Sequence, residues 1–509
     1  MTLTKLAFVL ACATTLAAGC GGGGGGDASN ATAPPNGSGA SAPLNGSVDT
    51  TAPTVSLTAP APTGTYLNGP VLLTADASDD VGVSAVEFQV DGASVGEDTS
   101  APFSVVIDAN NYASGWHVVR ARSRDGAGNL SGWSSVMVIT WLDLASKVEV
   151  DSRFTKNEAW VSNLEDATSL AVAPDGRIFV AERGGTVRIV KNGVLLPEPF
   201  LTLPDDGIDA GGERGLIGMT LDPAFAANGY VYLHYTSTGG GAHNRISRFT
   251  AVVDSARGGE TVLVDLPKLN NVITHNGGAI HFGLDGKLYV GVGDNTESSK
   301  SALLTDPFGK LLRFNSDGSI PADNPHYYTQ AGLARAIWAR GLRNPVTFAV
   351  QPVTGRIHIN DQGQGPSEDA FHSEMSSWEE INVGAAGANY GWPSFNGPVN
   401  NADITAPLFA FKHAPEPVHG YSPDKRLYGF SISGGVFYPA DGPFPASYRS
   451  NYFFADHVDK FVARLDAANG NAAYTFANLA NNPVDMAVGT DGSLYVLGKS
   501  AITKITSTP

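Results

Sequence analysis

An all-β chain is predicted, a six-bladed β-propeller preceded by a small antiparallel β-sandwich, on three observations. A hairpin signature recurs along residues 147–507, as in Leu170–Ala181, LAVAPDGRIFVA. Shorter alternating runs, broken by turn residues, fill 51–142. The only two cysteines, Cys12 and Cys20, lie in the leader region, so the folded part contains no disulfide and rests on burial and strand ladders.

Taken in order, residues 1–20 carry Lys5, an apolar run from Leu6 to Leu16, and the ending Ala17-Ala18-Gly19-Cys20. The run is too short to cross a bilayer as a helix and reads as a secretory signal. Its end resembles a bacterial lipoprotein processing site, which implies lipidation of Cys20. Gly21-Gly22, where an aspartate would retain the protein at the inner membrane, points to the outer membrane of an exported envelope protein, facing the periplasm or the outside. Residues 21–50 open on six glycines and continue in Ser, Pro, Asn and Ala; they cannot bury a core and read as a flexible tether.

In 51–142 the runs Val55–Leu57, Val71–Leu73, Val86–Val90, Phe103–Ile107, Val118–Val119 and Val136–Val138, with the segments between, fit about seven strands. The phrases TAPTVSLTAP, VSAVEFQVDG and ARSRDGAGNLSGW resemble the immunoglobulin-like repeats appended to bacterial surface proteins. That resemblance implies a spacer, with a carbohydrate-binding module as the alternative.

The propeller hairpins are Leu170–Ala181, Met219–Tyr235 (with Ala226–Asn228 in place of a tight turn), Ile280–Gly293, Phe348–Asp361, Gly435–Asp456 and Met486–Leu497. None can bury both faces alone, so radial stacking is expected. Six units in some 360 residues leave about 60 each, more than the roughly 40–50 of a four-stranded blade, and the excess is assigned to loops. Repeat counting alone also allows a seven- or eight-bladed closure; in each case a ring of such units opens a central mouth, the default place for a site.

The formal charge of −17 argues against nucleic acid and anionic membrane surfaces as partners, leaving the lipid as the membrane contact. Five segments carry candidate chemistry: GGERGLIGMTLDP with Glu213, THNGGAIHFGLDGKLYVGVGDN with His275, GLRNPVTFAV with Arg343-Asn344, NDQGQGPSED, and WEEINVGAAGANYGWP with Glu380. Glycines beside His275 leave its imidazole accessible. A histidine, a fixed cation and bare turn carbonyls at one mouth suit proton abstraction beside an anionic cofactor. Glu380 with backbone oxygens suits calcium.

The segments GERGLIG, HNGGAIHFGLDGKLYVGVGDN, GKLLRFNSDGSIPADNP, GLRNP and WEEINVGAAGANYGWP, in that order, resemble the soluble glucose/sorbosone dehydrogenase family. Its members are six-bladed propellers that use pyrroloquinoline quinone and calcium to oxidise aldose sugars. The resemblance implies that His275 is the base for the sugar C1 hydroxyl, that Arg343 stabilises the reduced quinone and that Asn344 contacts it. It places Glu213 and Thr274 at the substrate, the carbonyls of Gly363 and Gln364 on the cofactor's calcium, and Glu380 and the Tyr390 backbone on a second calcium. A small sugar and an electron acceptor are the implied partners. The family's late lysine and Arg-x-Arg pair fall at Val458 and at Asn482-Pro483-Val484-Asp485; Lys460 lies close to the first and is the expected substitute. Two other readings stand beside this one: a calcium-stabilised propeller that binds carbohydrate or protein without catalysis, and a metal-dependent lactonase using Asp294, Asn295 and Glu213.

Overall fold

The structure, a computed structural model, describes residues 49–59, 65–67, 70–112, 115–140, 152–204, 207–364, 377–413 and 427–508. Thr50–Pro509 forms one compact unit. The leader, Cys20 and nearly all of the tether lie outside the described residues, as does 365–376, the rest of the expected calcium turn.

Two sheets occupy 54–140. One runs Thr54–Ala59, Pro70–Ser78, Phe103–Asp108, and the other Thr65–Leu67, Ser134–Thr140, Gly115–Asp125, Val83–Val90, Ala93–Asp98. Leu73, Val86, Phe88, Phe103 and Val119 form a shared core. The expected runs all fall on strands, and Thr65–Leu67 and Ala93–Asp98 bring the described strands to eight.

From Phe154 onward the described residues form six antiparallel sheets. Sheet 1 is Ala167–Val172, Ile178–Glu182, Thr186–Lys191 and Val194–Leu195, with Leu201–Thr202 also on its third strand. Sheet 2 is Leu216–Leu221, Tyr230–Ser237, His243–Val252 and Ser255–Lys268, and sheet 3 is Ile280–Phe282, Leu288–Val292, Lys310–Phe314 and Ile337–Arg340. Sheet 4 is Pro345–Val350, Ile357–Asp361, Trp378–Val383 and Phe409–Lys412, and sheet 5 is Ile432–Phe437, Tyr452–Asp456, Phe461–Asp466 and Ala472–Asn478. Sheet 6 takes Pro483–Val488, Leu494–Gly498 and Ala501–Ser507, and its fourth strand is the early segment Phe154–Ser162.

Every hairpin read from the sequence is the first and second strand of one of these sheets. Sheets 1, 3 and 6 turn on Asp-Gly pairs, and each aspartate accepts the N–H two residues on, as Asp285 does from Lys287 at 3.1 Å. In sheet 2 a single helical turn, Phe225–Asn228, replaces the tight turn.

The sheets follow one another in a ring. The first strand of each packs beside the first strand of the next, and Pro483–Val488 of sheet 6 returns to Ala167–Val172 of sheet 1. A separate apolar cluster fills each of the six spaces between neighbours, such as Phe179 with Leu233 between sheets 1 and 2, and Val180 with Leu497 between sheets 6 and 1. Both faces of each inner strand are therefore covered. This is why Ile178–Glu182, Leu288–Val292 and Leu494–Gly498 are buried at every residue, where period-two alternation of a one-sided strand would expose half. Pairing of Ala501 with Ser162 and Ser507 with Phe154 ties the two ends of the ring together.

Candidate active site

In each sheet a hairpin brings two loops together at its open end, one before the first strand and one after the second. Glu213, His275 and Arg343-Asn344 stand before the first strands of sheets 2, 3 and 4, and Ser431 before that of sheet 5. Arg183, Asp294, Gln362, His457 and Lys499 stand just after the second strands of sheets 1, 3, 4, 5 and 6. Arg183, Glu213, Gly277, Gln362, His457 and Lys499 line one cavity of about 290 Å³, at the small end of the range for small-molecule sites, roughly 300–1,000 Å³.

His275 is held from three sides. Its backbone is in the left-handed region, φ 57°, and its N–H donates to Glu213 Oε2 at 2.6 Å. Nδ1 meets Asp294 Oδ1 at 2.7 Å, and Arg343 Nη2 meets Nε2 at 2.7 Å. A guanidinium can only donate, so Nε2 carries the lone pair and Nδ1 the proton. Asp294 is fixed in turn by the Trp392 indole N–H at 2.8 Å and the Thr296 N–H at 2.7 Å. Two glycines make the loop possible. Gly277 has φ 72° and a Cβ there would sit 2.5 Å from the Gly291 carbonyl oxygen, while a Cβ on Gly293 would collide with that of His275.

Arg343 lies over the Trp392 ring and donates Nη1–H to the Gln362 carbonyl at 3.1 Å. Burial lowers its pKa, opposed by the charges of Asp294, Glu379, Asp361 and Glu213. Its backbone N–H and that of Asn344 both end on Asp361, at 2.9 and 2.7 Å. Burial, then the Glu380 charge, pushes the Asp361 carboxyl well above its usual range, against the pull of those backbone bonds. The Asn344 amide is spent inside the protein: Oδ1 accepts Gly277 N–H at 2.9 Å, and Nδ2 donates to Gln362 Oε1 at 2.9 Å and Glu213 Oε2 at 3.3 Å. It props the loop rather than offering itself to a cofactor.

On the other side of the cavity Arg183 Nε donates to Asp166 Oδ2 at 2.6 Å, and Lys499 Nζ lies 3.3 Å from Asp166 Oδ1. Partial burial raises the Asp166 carboxyl, but the charge and hydrogen bond of Arg183, then Lys499, bring it below its ordinary value. His457 donates Nδ1–H to the Pro483 carbonyl at 3.0 Å, and burial lowers its pKa, so it adds a lone pair to the cavity and not a third cation.

Glu213, His275, Arg343 and Asn344 thus come together as expected, with Thr274 half-buried beside His275. Arg214, next to Glu213, is structural: it pairs with Asp209 at 2.7 Å and donates to the carbonyls of Asn270 and Val272. Lys460 does not line the cavity. It sits in the turn after Tyr452–Asp456 with φ 56°, its N–H on the Asp456 carbonyl, and Lys499 lines the cavity instead. Among the described residues no three His, Cys, Asp or Glu ligands meet around Asp294 and Glu213. Asp294 serves His275 and Glu213 serves the loop, so both carboxylates of the lactonase reading are already hydrogen-bonded, while the Asn295 amide is buried without a partner among the described residues.

Glu380 is buried, with Oε2 accepting from Asn382 Nδ2 at 2.9 Å and Oε1 from Gly397 N–H at 2.5 Å, and burial pushes its carboxyl up to about 7. The Asn382 amide oxygen is buried with no hydrogen-bond partner among the described residues. Gly363 N–H donates to Glu379 Oε1 at 3.1 Å, and the Tyr390 hydroxyl to the Val383 carbonyl at 2.7 Å. Sequence reasoning weighed Asp294 only as a metal ligand and left Trp392, Asp361, Arg183 and Lys499 without a role. An aspartate directly after the second strand of the histidine's own hairpin was the available signal for the first.

The family model described as Glucose / Sorbosone dehydrogenase matches residues 164–506, and that of a Bacterial Ig domain matches 53–121. The aldose sugar dehydrogenase YliI of Escherichia coli (strain K12) is 28% identical over 365 residues, 67% of this chain and 89% of the relative. Quinoprotein glucose dehydrogenase B of Acinetobacter calcoaceticus is 29% identical over 301 residues, 52% of this chain and 59% of the relative. The crystal structure of the soluble aldose sugar dehydrogenase from Escherichia coli in its apo-form superposes with a TM-score of 0.58 at 26% identity, covering 70% of this chain and all of that one.

Proposed function

Because the chain belongs to the glucose/sorbosone dehydrogenase family, we propose that it oxidises an aldose sugar at C1 to the lactone, using pyrroloquinoline quinone and calcium, with the six sheets as the blades of a six-bladed propeller. The names of its relatives, an aldose sugar dehydrogenase and a quinoprotein glucose dehydrogenase, support a sugar substrate and a quinone acceptor. The observation that carries the reading is the His275 Nε2 lone pair, presented by Asp294 on one side and met by Arg343 on the other.

The donors fit a flat, multiply carboxylated quinone: Gln362, Arg183 and Lys499, which line the cavity, and Arg343, which reaches the Gln362 carbonyl beside it, are the residues that would hold it. When bound, the quinone supplies the acceptor for the C1 hydride. The chain supplies the rest. His275 Nε2 takes the C1 hydroxyl proton, and Asp294, fixed by Trp392, holds Nδ1–H and stabilises the imidazolium that forms. Nε2 has a single lone pair, so Arg343 Nη2–H must give it up before the sugar hydroxyl can donate there, and the imidazolium that forms cannot take it back. That release frees the guanidinium to stabilise negative charge on the acceptor side of the cavity. Glu213 lines the cavity with Oε1 free of hydrogen bonds among the described residues, in position for a sugar hydroxyl.

Calcium fits the Glu380 carboxylate and the unpartnered Asn382 amide oxygen, which together begin the all-oxygen set a hard cation takes. Export and lipid attachment at Cys20, the tether to about residue 50, a sandwich over 51–142 acting as a spacer and the propeller over 147–507 complete the reading.

The test is dye reduction across pentoses, hexoses and disaccharides after incubation with the quinone and calcium. Wild type is expected to turn over, and His275→Ala to bind quinone but lose roughly 10²–10⁴-fold in turnover. Activity without quinone, or activity intact in His275→Ala, sinks the mechanism. No dye reduction with any sugar, despite a folded protein, leaves the non-catalytic binding propeller in its place.

A further inference from the structure

The cavity has a second charged end that the proton transfer at His275 does not use. A ligand with several carboxylates needs cations there, and Asn482-Pro483-Val484-Asp485 brings none. Among the described lining residues the only Lys and Arg side chains are Arg183 and Lys499. They belong to different sheets and meet only where the ring closes. Leu164 N–H donates to the Ser500 carbonyl at 3.1 Å and Ala167 N–H to that of Lys499 at 2.9 Å, which docks the approach to sheet 1 on the last turn of sheet 6.

Asp166, on that docked segment, accepts from Arg183 and lies within ion-pair distance of Lys499. The two cations are therefore spaced to share one carboxylate. Asp166 does not exhaust them. Its side chain is 44% exposed, and among the described residues Arg183 Nη2 and the remaining Lys499 protons have no partner. A carboxylate arriving from the cavity can add to the pair or take the place of Asp166.

We propose that Arg183 and Lys499 form the carboxylate-binding end of this cavity and take the carboxylates of the bound quinone, with Asp166 as an internal anion that competes for them. The proposal rests on the dehydrogenase reading above. An acidic sugar carries the same chemistry and is the other source the experiment must separate.

Quinone binding is titrated directly, with calcium present, by equilibrium dialysis or tryptophan-fluorescence quenching and without any turnover. The proteins are wild type, Arg183→Gln, Lys499→Gln, the double variant, Asp166→Asn, and Lys191→Gln as a charge-matched surface control; melting curves check that each folds. Each cavity cation removed is expected to weaken binding about tenfold or more, and the pair about a hundredfold or more. Asp166→Asn is expected to tighten binding several-fold, because a competing charge is lost, and asparagine tolerates the left-handed backbone at that position, φ 47°. A merely structural role would make Asp166→Asn weaken binding like the others, so that result overturns the proposal. Unchanged quinone affinity in the double variant also overturns it and leaves the dehydrogenase reading standing. A loss confined to glucuronate affinity, with quinone affinity intact, assigns the pair to an acidic substrate and overturns it too. Wild type that binds no quinone removes both this inference and the reading beneath it.

Discussion

The two walls of the cavity are built on different plans. The wall from sheets 2, 3 and 4 is knitted: His275, Asp294, Trp392, Arg343, Asn344, Glu213 and Asp361 each bond to at least one other member, so none moves alone. The wall where sheets 6 and 1 meet is looser, two cations around one partly exposed carboxylate. Proton transfer depends steeply on distance and on which nitrogen holds the proton, so the first wall needs fixed geometry. Charge attraction falls off slowly and has little directional demand, so the second can anchor an anion with side chains from various places.

The largest test of this contrast is Asp294→Asn. An asparagine carries no charge to stabilise the imidazolium that forms when Nε2 takes the sugar proton, and only one end of its amide can accept, so either His275 Nδ1–H with the Thr296 N–H or the Trp392 N–H loses its acceptor. Turnover should fall roughly 10²–10⁴-fold while quinone affinity stays within about twofold. A parallel loss of affinity would mean that the walls are not separable. Arg343→Ala comes next. It leaves His275 Nε2 open to substrate but removes the cation for the acceptor side, and turnover should fall about 10²-fold. A wild-type rate in this variant would show that the Arg343–His275 contact contributes only to the resting enzyme.

A smaller effect is expected from Trp392→Phe. It keeps the ring under Arg343 and deletes one N–H from the buried Asp294. A buried carboxylate left one donor short costs about 1–3 kcal/mol, to be read as a lower urea midpoint and a turnover reduced about tenfold. If both are unchanged, the Thr296 N–H alone suffices to hold Asp294 and the wall is less tightly knitted than drawn.

How much of this was legible in the sequence follows the same division. All six inner hairpins carry local signals, because each pairs two apolar runs that are close in sequence across a turn, an Asp-Gly pair in sheets 1, 3 and 6. The outer strands do not. Ser255–Lys268 is polar and largely exposed, and Phe154–Ser162 finds its partner Ala501–Ser507 only at the far end of the chain. Likewise His275, Arg343 and Glu213 stand out in glycine-rich loops, whereas Arg183 and Lys499 look like ordinary turn residues until ring closure brings them to Asp166. Lys460 was favoured for its place along the chain, but nearness in sequence does not fix the direction in which a tight turn points a side chain. Asp294 was visible as chemistry but not as His275's partner, since the contact spans a hairpin whose exact register sets it.

The smallest expected effect concerns what lies beneath the looser wall. As Asp361 braces Arg343 and Asn344 on one side, Asp485 braces the seam between sheets 6 and 1 on the other. It accepts Ser169 Oγ–H at 3.0 Å and Leu170 N–H at 2.9 Å across the seam, and its own neighbour Met486 N–H at 2.8 Å. Burial pushes its carboxyl up to about 6, although those bonds pull the other way. The unfolded chain releases this proton near the model-peptide value of about 3.9. Between that pH and about 6 the native state therefore binds more protons than the unfolded one, and stability falls as pH rises. The contribution is fully present below the unfolded value and lost through the folded one, with a slope of at most about 1.4 kcal/mol per pH unit for one group. Urea midpoints from pH 4 to 7, for wild type and Asp485→Asn, isolate it: other buried carboxylates contribute to both proteins, but only wild type should carry this added fall. Parallel curves would show that Asp485 is charged in the folded protein throughout, and that the seam under the anchoring wall is as well solvated electrostatically as the reacting wall is knitted.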